Sequence, residues 1–229
     1  MIGDKMKEEK KKNIFRRIWD TVAYETSRLL YVILLVPYRT VLLTPEGKRY
    51  KGKLKGGAIL AANHTTFSDP FVVGSAFWYR RMNFFTADVV MATKTREKLL
   101  KAAGAIKVNR SITDIEAVRS AVEVLKKGRL LLIFPEGGVQ AVGDVQPIKS
   151  GAALMAMQAG VPIVPLFICY NARWYQRRRV VVGEPIDPKA LCKRRIPSAA
   201  DIDAVSQALQ SEMQRISKNF VQTKKEREA

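Results

Sequence analysis

The side chains best suited to chemistry lie in the stretch 63–70, which reads Asn-His-Thr-Thr-Phe-Ser-Asp-Pro. His64 is the only histidine in the chain, and Asp69 follows it by five residues. A carboxylate that hydrogen bonds to one nitrogen of a histidine ring fixes the tautomer, so that the other nitrogen takes a proton from a hydroxyl group. The nucleophile motif Gly-x-Ser-x-Gly is absent from the sequence. We therefore expect His64 to act on a hydroxyl of the substrate, with Asp69 as its partner.

A purely structural interpretation of the same stretch is also open. Asp69 suits the N-cap of a helix and Pro70 its first position, and His64 would then be a polar loop residue. On one straight helix, at ~100° per residue, His64 and Asp69 would lie on different faces. The catalytic interpretation therefore requires a turn that ends where the helix begins and folds the carboxylate back onto the imidazole.

Two further stretches carry charged residues next to predicted helices or strands. Lys107 and Arg110 lie in Gly104–Arg110, immediately before a predicted helix, where a guanidinium binds an oxyanion through two hydrogen bonds. Glu136 and Gly137 follow a predicted strand, and the glycine allows a ligand to approach the backbone closely. A solvated basic loop and an exposed glutamate at a turn are the structural alternatives.

A lysine and two prolines complete the set of candidates. Lys149 precedes a predicted helix, and a cation beside the free N–H groups of a helix start suits an anion. Pro162 and Pro165 lie inside the apolar run Val161–Ile168. Because proline cannot donate a hydrogen bond to a neighbouring strand, we expect this strand to lie near an edge of its sheet or beside a pocket.

Short apolar runs that alternate with helical patterns predict an α/β fold for the body of the chain, in one domain. Apolar residues at three- and four-residue spacing predict the helices, and Thr113 opens the first of them with a capping box. The predicted strands are Ala58–Ala62, Leu130–Phe134, Val161–Ile168 and Val180–Val182, and the predicted helices are 113–127, 151–159 and about 201–220.

The N-terminal segment, residues 1–40, differs in character from the body, residues 41–229. Residues 14–38 show a helical apolar stripe, and the uncharged run from Leu29 to Tyr38 is ten residues long. A membrane-spanning helix needs about 20 apolar residues, and no signal-peptide cleavage site follows the run. The segment is either a helix packed on the body or an interfacial helix at a membrane surface. The net charge of the chain favours the interfacial helix.

The composition excludes several classes of protein and indicates which kinds of partner the chain attracts. The 229 residues include 40 Lys and Arg against 21 Asp and Glu, a net charge of +19, which attracts nucleic acid, anionic membranes or phosphorylated substrates. Cys169 and Cys192 are the only cysteines, so a disulfide scaffold and a Cys/His zinc module are excluded. No helix-turn-helix, zinc or ribonucleoprotein signature accompanies the basic clusters, so a nucleic-acid-binding protein is a distant alternative.

Four stretches appear in an order that resembles the glycerolipid acyltransferase superfamily, which includes the 1-acylglycerol-3-phosphate acyltransferases. His64 and Asp69 correspond to the HX4D motif of that superfamily. The sequence GEPI at 183–186 further resembles a downstream strand and turn of the family. The four stretches cover roughly residues 58–170 and are NHTTFSDP (63–70), GAIKVNR (104–110), FPEGG (134–138) and VPIVP (161–165).

The resemblance implies a fold and an activity. The fold is α/β, with a mixed, largely parallel sheet flanked by helices and an N-terminal helical segment that associates with a membrane. His64 is then the general base and Asp69 its orienting partner, and the deprotonated hydroxyl attacks the thioester of acyl-CoA or acyl-carrier protein. No acyl-enzyme, no metal and no cofactor are implied. The preferred acceptor is the sn-2 hydroxyl of lysophosphatidic acid (1-acylglycerol 3-phosphate), and the product is phosphatidic acid.

The resemblance also suggests roles for the remaining candidates. It implies a location at the cytoplasmic face of the cell membrane, as a peripheral or monotopic protein on anionic lipid, with no nucleic acid partner. Arg110, Glu136 and Gly137 resemble the acceptor-phosphate site, Pro165 belongs to the fourth motif and helps to shape the acyl pocket or active site, and Asn63 and Pro135 shape the first and third motifs.

The sequence departs from the family pattern in two places. After FPEG the family often has Thr or Ser and then Arg, whereas Gly138 and Val139 stand here. We expect Lys149 or Lys107 to supply the missing cation. Other acceptors therefore stay open, namely glycerol 3-phosphate, another lysophospholipid or a lyso-amino-acid lipid. The second motif has Asn109 where an acidic residue is common, which we interpret as tolerated variation.

Overall fold

The computed structural model describes residues 18–19, 21–22, 25–26, 40–109, 114–137, 147–170, 177–192 and 197–219, and the backbone of 220–228. Most of the predicted N-terminal segment, residues 1–40, lies outside the described residues. The body from residue 40 onward contains a β-sheet with helices on both faces.

The strands of the described residues form one sheet of seven strands. A short 3₁₀ helix, Asp88–Met91, follows the third strand. In chain order the strands and α-helices are β1 (Val41–Leu43), β2 (Ala58–Ala62), α1 (Asp69–Ala76), β3 (Met82–Ala87), α2 (Lys94–Ala102), β4 (Ala105–Val108), α3 (Ile115–Lys126), β5 (Leu130–Ile133), α4 (Gly151–Ala159), β6 (Ile163–Cys169), β7 (Arg179–Val182), α5 (Pro188–Leu191) and α6 (Ala199–Glu228).

The strand order is β1-β7-β6-β2-β5-β3-β4. The strands from β6 to β4 in this order run parallel, whereas β7 is antiparallel to β6 and pairs in parallel with β1. The sheet is therefore mixed and largely parallel, which confirms the predicted fold class. Because parallel strands end on the same side, β6, β2, β5, β3 and β4 end at one edge of the sheet, here called the carboxyl edge, and begin at the opposite, amino edge.

The central strands are buried on both faces. On one face Leu60, Leu132 and Val164 pack with α1. The neighbouring positions point the other way, as alternate residues of a strand do, and pack with α3, α4 and α6; these positions are Ile59, Leu131 and Ile163. Strands covered on both sides are apolar at every position, which explains the continuous apolar runs of the sequence.

The structure corrects two local predictions. Pro165 lies in β6, an inner strand between β7 and β2, so the predicted edge position is wrong. Pairing of β6 with β7 starts only after Pro165, whose carbonyl accepts a 2.9 Å hydrogen bond from the N–H of Gly183, so the missing proline N–H interrupts no ladder. At the start of α3 the N-cap is Asp114 and not Thr113.

Candidate active site

The loop after β2 is fixed to β6 by Asn63. The side-chain amide nitrogen of Asn63 donates to the carbonyl of Ile168 at 3.2 Å, and its amide oxygen accepts from the N–H of Ile168 at 2.6 Å. These bonds extend the attachment of β2 to β6 past their last paired residues, Ala62 and Leu166. The next residue, His64, therefore starts from an anchored backbone at the carboxyl edge.

His64 and Asp69 form a hydrogen-bonded pair at the start of α1. Nδ1 of His64 lies 3.0 Å from Oδ2 of Asp69. Ser68 is the N-cap of α1 and Asp69 its first residue, so the alternative in which Asp69 is the N-cap is wrong. The carboxylate turns back instead, and its Oδ2 accepts hydrogen bonds from the backbone N–H groups of Thr65 (2.7 Å) and Thr66 (2.8 Å).

A chain of hydroxyl groups supports the same carboxylate. Thr66 Oγ1 donates to Oδ1 of Asp69 at 2.6 Å, so its oxygen is left to accept from Ser68 Oγ at 2.9 Å. Burial by itself would raise the pKa of Asp69, but the hydrogen bonds from His64, Thr66 and Thr65 outweigh it and hold this pKa below the ordinary value. Asp69 is therefore ionised at neutral pH and only accepts hydrogen bonds.

The ionised carboxylate decides the tautomer of His64. Nδ1 carries the proton that it donates to Asp69, and Nε2 is left with its lone pair. The residue is 9% exposed, and Nε2 hydrogen bonds to nothing in the part of the chain that the structure describes. An imidazole in this state can accept a proton from a hydroxyl group of a substrate.

The ring of Phe134 stacks on the imidazole of His64. The two ring centroids are 4.0 Å apart, with 18° between the ring planes. Phe134 directly follows β5, which pairs with β2 through Ala61 and Ile133, so adjacent strands deliver the two rings to the same place. This contact was not predicted from the sequence. Its only signal was an aromatic residue at the end of a buried strand.

Glu136 lies in the turn after Phe134 and is buried. The turn is closed by the N–H of Gly137, which donates to the carbonyl of Phe134 at 3.1 Å. Glu136 is 9% exposed, and its Oε1 has no hydrogen-bond partner among the described residues. Burial raises the pKa of Glu136 to about 7, so at neutral pH a large fraction of this carboxyl group is protonated and can donate a hydrogen bond.

Lys149 lies over the same turn. Its backbone N–H donates to the carbonyl of Pro135 at 3.1 Å. Gly137 has a φ of +79°, and a Cβ placed on it would lie 2.8 Å from Nζ of Lys149. The lysine side chain thus fills the space that a side chain at Gly137 would occupy. Lys149 is exposed and forms no ion pair with any acidic residue in the described ranges.

The structure does not place every candidate residue from the sequence beside His64. Lys107 is exposed on β4, and β5 and β3 lie between β4 and β2, a separation of about 14 Å at the usual spacing of strands. Pro165 is buried inside β6 opposite Ala61, whereas His64 lies beyond the end of β2. Arg110 lies outside the described residues.

Among the residues that the structure describes, no three His, Cys, Asp or Glu side chains come together as metal ligands. Burial raises the pKa of the Cys169 thiol to about 12, so this cysteine is not a nucleophile at neutral pH. No helix of the described ranges has the length and apolar character needed to cross a bilayer.

The sequence matches the Acyltransferase family over residues 36–169, more than half of the chain. It is 28% identical over 166 residues to the 1-acyl-sn-glycerol-3-phosphate acyltransferase of Streptococcus pneumoniae, a match that covers 69% of this chain and 60% of that protein. The protein of the same name from Bacillus subtilis is 23% identical over 158 residues, covering 67% of this chain and 77% of that protein. The one from Borreliella burgdorferi is 30% identical over 135 residues, covering 56% and 51%.

A solved structure shares the fold. It is the crystal structure of the 1-acyl-sn-glycerophosphate acyltransferase of Thermotoga maritima, with a TM-score of 0.55 and 18% sequence identity. The superposition covers 88% of this chain and 81% of that chain. A likeness at this level of identity supports the α/β architecture described above.

Proposed function

This chain belongs to the acyltransferase family, and on that premise we propose that it transfers a fatty acyl group from acyl-CoA or acyl-carrier protein to the sn-2 hydroxyl of 1-acylglycerol 3-phosphate, forming phosphatidic acid. The observation that carries the proposal is the 3.0 Å hydrogen bond between His64 and Asp69, which leaves Nε2 of the imidazole free. The names of the relatives from Streptococcus pneumoniae and Bacillus subtilis support the choice of acceptor.

The reaction needs one proton to be taken and returned. Nε2 of His64 removes the proton of the acceptor hydroxyl as the oxygen attacks the thioester carbonyl. When the tetrahedral intermediate collapses, the carbon–sulfur bond breaks and the imidazolium gives its proton to the departing thiolate. The products are the new ester and the free thiol, and His64 returns to its starting tautomer.

Asp69 acts on the reaction through His64. Its ionised carboxylate accepts the Nδ1 proton, stabilises the imidazolium while it exists and keeps the ring in one orientation. The backbone N–H groups of Thr65 and Thr66 hold the carboxylate at 2.7 and 2.8 Å, so it is already in place before a substrate binds.

A second candidate keeps the reaction and changes the acceptor. Gly138 and Val139 stand where the family often has Thr or Ser and then Arg, which favours glycerol 3-phosphate or another lysolipid. The cation of Lys149 over Gly137 supports an acceptor with a phosphate group in either case.

We further infer that the protein acts at the cytoplasmic face of the cell membrane, as a peripheral or monotopic protein on anionic lipid and without a nucleic acid partner. The net charge of +19 supports this inference, because each basic residue near an anionic leaflet contributes about 1 kcal/mol. Ile18, Trp19 and Val22 are 56%, 67% and 51% exposed, as expected of apolar side chains that insert at a lipid interface.

The first prediction is tested by an acceptor panel on purified protein in lipid micelles, with both donor types. We expect lysophosphatidic acid to give a higher kcat/KM than glycerol 3-phosphate, lysophosphatidylcholine or monoacylglycerol.

His64→Ala removes the general base and is expected to lower kcat by about 10³-fold or more. Asp69→Asn places an amide N–H opposite Nδ1, favours the wrong tautomer and is expected to lower kcat by a similar factor.

Circular dichroism and micelle binding of both variants are the controls, and both measurements should match the wild type. Turnover that persists in His64→Ala would contradict the mechanism. A higher kcat/KM for an acceptor without a phosphate would contradict the choice of acceptor.

A further inference from the structure

A short path of contacts connects the imidazole of His64 to the ammonium group of Lys149. Phe134 stacks on His64 at 4.0 Å, and the N–H of Gly137 returns to the carbonyl of Phe134 at 3.1 Å. A turn closed in this way keeps its end residues within about 7 Å of each other. Nζ of Lys149 lies 2.8 Å from the position of a Cβ on Gly137. The turn that carries Phe134 against His64 therefore has the ammonium group of Lys149 over its last residue, Gly137.

The cation is placed there although nothing in the described chain neutralises it. The backbone of Lys149 is pinned by its 3.1 Å hydrogen bond to Pro135. Glu136 is adjacent in the turn, but no ion pair joins it to Lys149, and burial keeps its carboxyl group partly protonated at neutral pH by raising its pKa to about 7. A charge that no protein group neutralises is available to a ligand of opposite charge.

The start of α4 adds hydrogen-bond donors beside this cation. α4 begins at Gly151, two residues after Lys149, and its N-cap residue Ser150 makes no side-chain cap hydrogen bond. The first turn contains no acidic residue. Because the first N–H groups of a helix have no partner within the helix, they favour an anion at this end.

We propose that Lys149, lying across Gly137, is the residue by which this site selects acceptors that carry a phosphate monoester. In 1-acylglycerol 3-phosphate only a few bonds separate the reacting hydroxyl from the phosphate, so the group that binds the phosphate must lie near the general base. Lys149 lies over the turn whose first residue, Phe134, stacks on His64. Gly138 and Val139 offer no cation of their own, and Lys149 supplies one at this turn. The inference rests on the proposed function and names the group that recognises its substrate.

The test compares two acceptors that differ only in the phosphate, 1-hexanoylglycerol 3-phosphate and 1-hexanoylglycerol. Lys149→Ala is expected to lower kcat/KM for the phosphate acceptor at least tenfold, mainly through a higher KM, because it removes a charge from the bound ground state. For the neutral acceptor the change should stay below twofold. Lys149→Arg keeps the charge and is expected to restore kcat/KM for the phosphate acceptor to within threefold of the wild type.

Lys126→Ala is the matched control, because Lys126 is an exposed lysine at the end of α3 with no ion pair in the described ranges. It removes the same charge from the other end of the sheet and should leave both acceptors unchanged. An equal loss of kcat/KM for both acceptors in Lys149→Ala would overturn the inference. A loss for the phosphate acceptor in Lys126→Ala as large as the loss in Lys149→Ala would also overturn it.

Binding measurements separate this inference from the proposed reaction. In the His64→Ala background, titration calorimetry should detect binding of 1-hexanoylglycerol 3-phosphate, and adding Lys149→Ala should weaken it at least tenfold. If wild type does not acylate this compound but the binding difference is found, the proposed function fails and the phosphate site stands. If wild type acylates it and the binding difference is absent, only the phosphate site is overturned.

Gly137→Ala offers an independent route to the same site. Its Cβ would force Nζ of Lys149 away from a 2.8 Å contact, which should lower kcat/KM for the phosphate acceptor. The φ of +79° also strains any side chain at this position, and that strain affects both acceptors, so the ratio of their kcat/KM values is compared. In the double variant with Lys149→Ala this ratio should change no more than in Lys149→Ala alone, since both changes remove one interaction. A ratio that changes further in the double variant would count against the inference.

Discussion

Two buried carboxyl groups follow the neighbouring strands β2 and β5, one at the start of α1 and one in the turn after Phe134, and their surroundings move their pKa values in opposite directions. Asp69 and Glu136 are both less than a tenth exposed. Hydrogen bonds to Asp69 overcome the effect of burial and lower its pKa. Among the described residues Oε1 of Glu136 has no hydrogen-bond partner, and burial raises the pKa of Glu136 to about 7. Such a separation allows one carboxylate to stay charged while the other serves as a hydrogen-bond donor.

The pH dependence of folding should reveal the buried state of Glu136. A carboxyl group whose pKa rises from 4.5 in the unfolded chain to about 7 in the folded chain stabilises the fold fully below pH 4.5, and this contribution is lost as the pH rises through 7. Glu136→Gln cannot ionise. We expect the free energy of unfolding of E136Q relative to wild type to increase by about 1 to 3 kcal/mol between pH 5 and pH 8 in urea titrations.

Glu123→Gln is the control for that experiment, because Glu123 is an exposed glutamate on α3 whose side chain is 61% exposed. Its difference from wild type should be nearly the same at both pH values. A difference for E136Q that does not change with pH would show that the carboxyl group of Glu136 ionises freely in the folded protein.

At the scale of elements, one arginine joins three segments at the amino edge. The guanidinium of Arg80, which follows α1, donates hydrogen bonds to the backbone carbonyls of Leu54, Gly56 and Gly128. Gly56 and Gly128 stand just before β2 and β5 and have φ values of +69° and +75°. Arg80 therefore fixes the entry into the two strands that carry His64 and Phe134 at their other ends.

Arg80→Met should destabilise the fold without damaging the chemistry. Losing hydrogen bonds from a charged donor and leaving partly buried carbonyls without partners is expected to cost about 2 to 4 kcal/mol of the free energy of unfolding in urea. The kcat of the folded fraction should stay within about threefold of wild type, since Arg80 lies at the edge opposite His64. Arg119→Met, which removes an exposed arginine of α3, should change the free energy of unfolding by less than about 0.5 kcal/mol. Equal stability of the two variants would contradict the role given to Arg80.

The sequence predicted the central strands because burial on both faces leaves continuous apolar runs, such as Leu130–Ile133. It did not reveal β3, whose Asn83 and Thr86 are polar although buried, or α2, which has no buried residues and begins at a Thr93 side-chain cap. These elements lack the apolar periodicity on which a sequence-based prediction depends.

The contacts of the candidate site were likewise predicted from the sequence only in part. The spacing of His64 and Asp69 indicated a pair, because a turn that ends at the start of α1 can bring two side chains five residues apart together. The stack of Phe134 on His64 and the place of Lys149 over Gly137 depend on strands and turns far apart in sequence. No local sequence pattern encodes those contacts, so only the structure reveals them.

For the whole molecule, the excess of positive charge makes a prediction about lipid surfaces. With a net charge of +19, the protein should sediment with vesicles of phosphatidylglycerol and much less with vesicles of phosphatidylcholine. Raising the salt from 0.1 M to 1 M shortens the Debye length from about 10 Å to about 3 Å and should release most of the bound protein. His64→Ala should bind as the wild type does, since binding depends on overall charge. Equal binding to both vesicles would contradict an electrostatic attachment.

The single imidazole among 229 residues, stacked on Phe134 at 4.0 Å, gives this protein a built-in spectroscopic reporter. In a proton NMR spectrum the imidazole Cε1–H and Cδ2–H resonances arise from one known residue without any assignment by mutagenesis. The aromatic ring current of Phe134 displaces these resonances upfield, so their positions report whether β2 and β5 keep the two rings together. Titrating them follows the protonation of the proposed base directly, in the resting protein and with each substrate added.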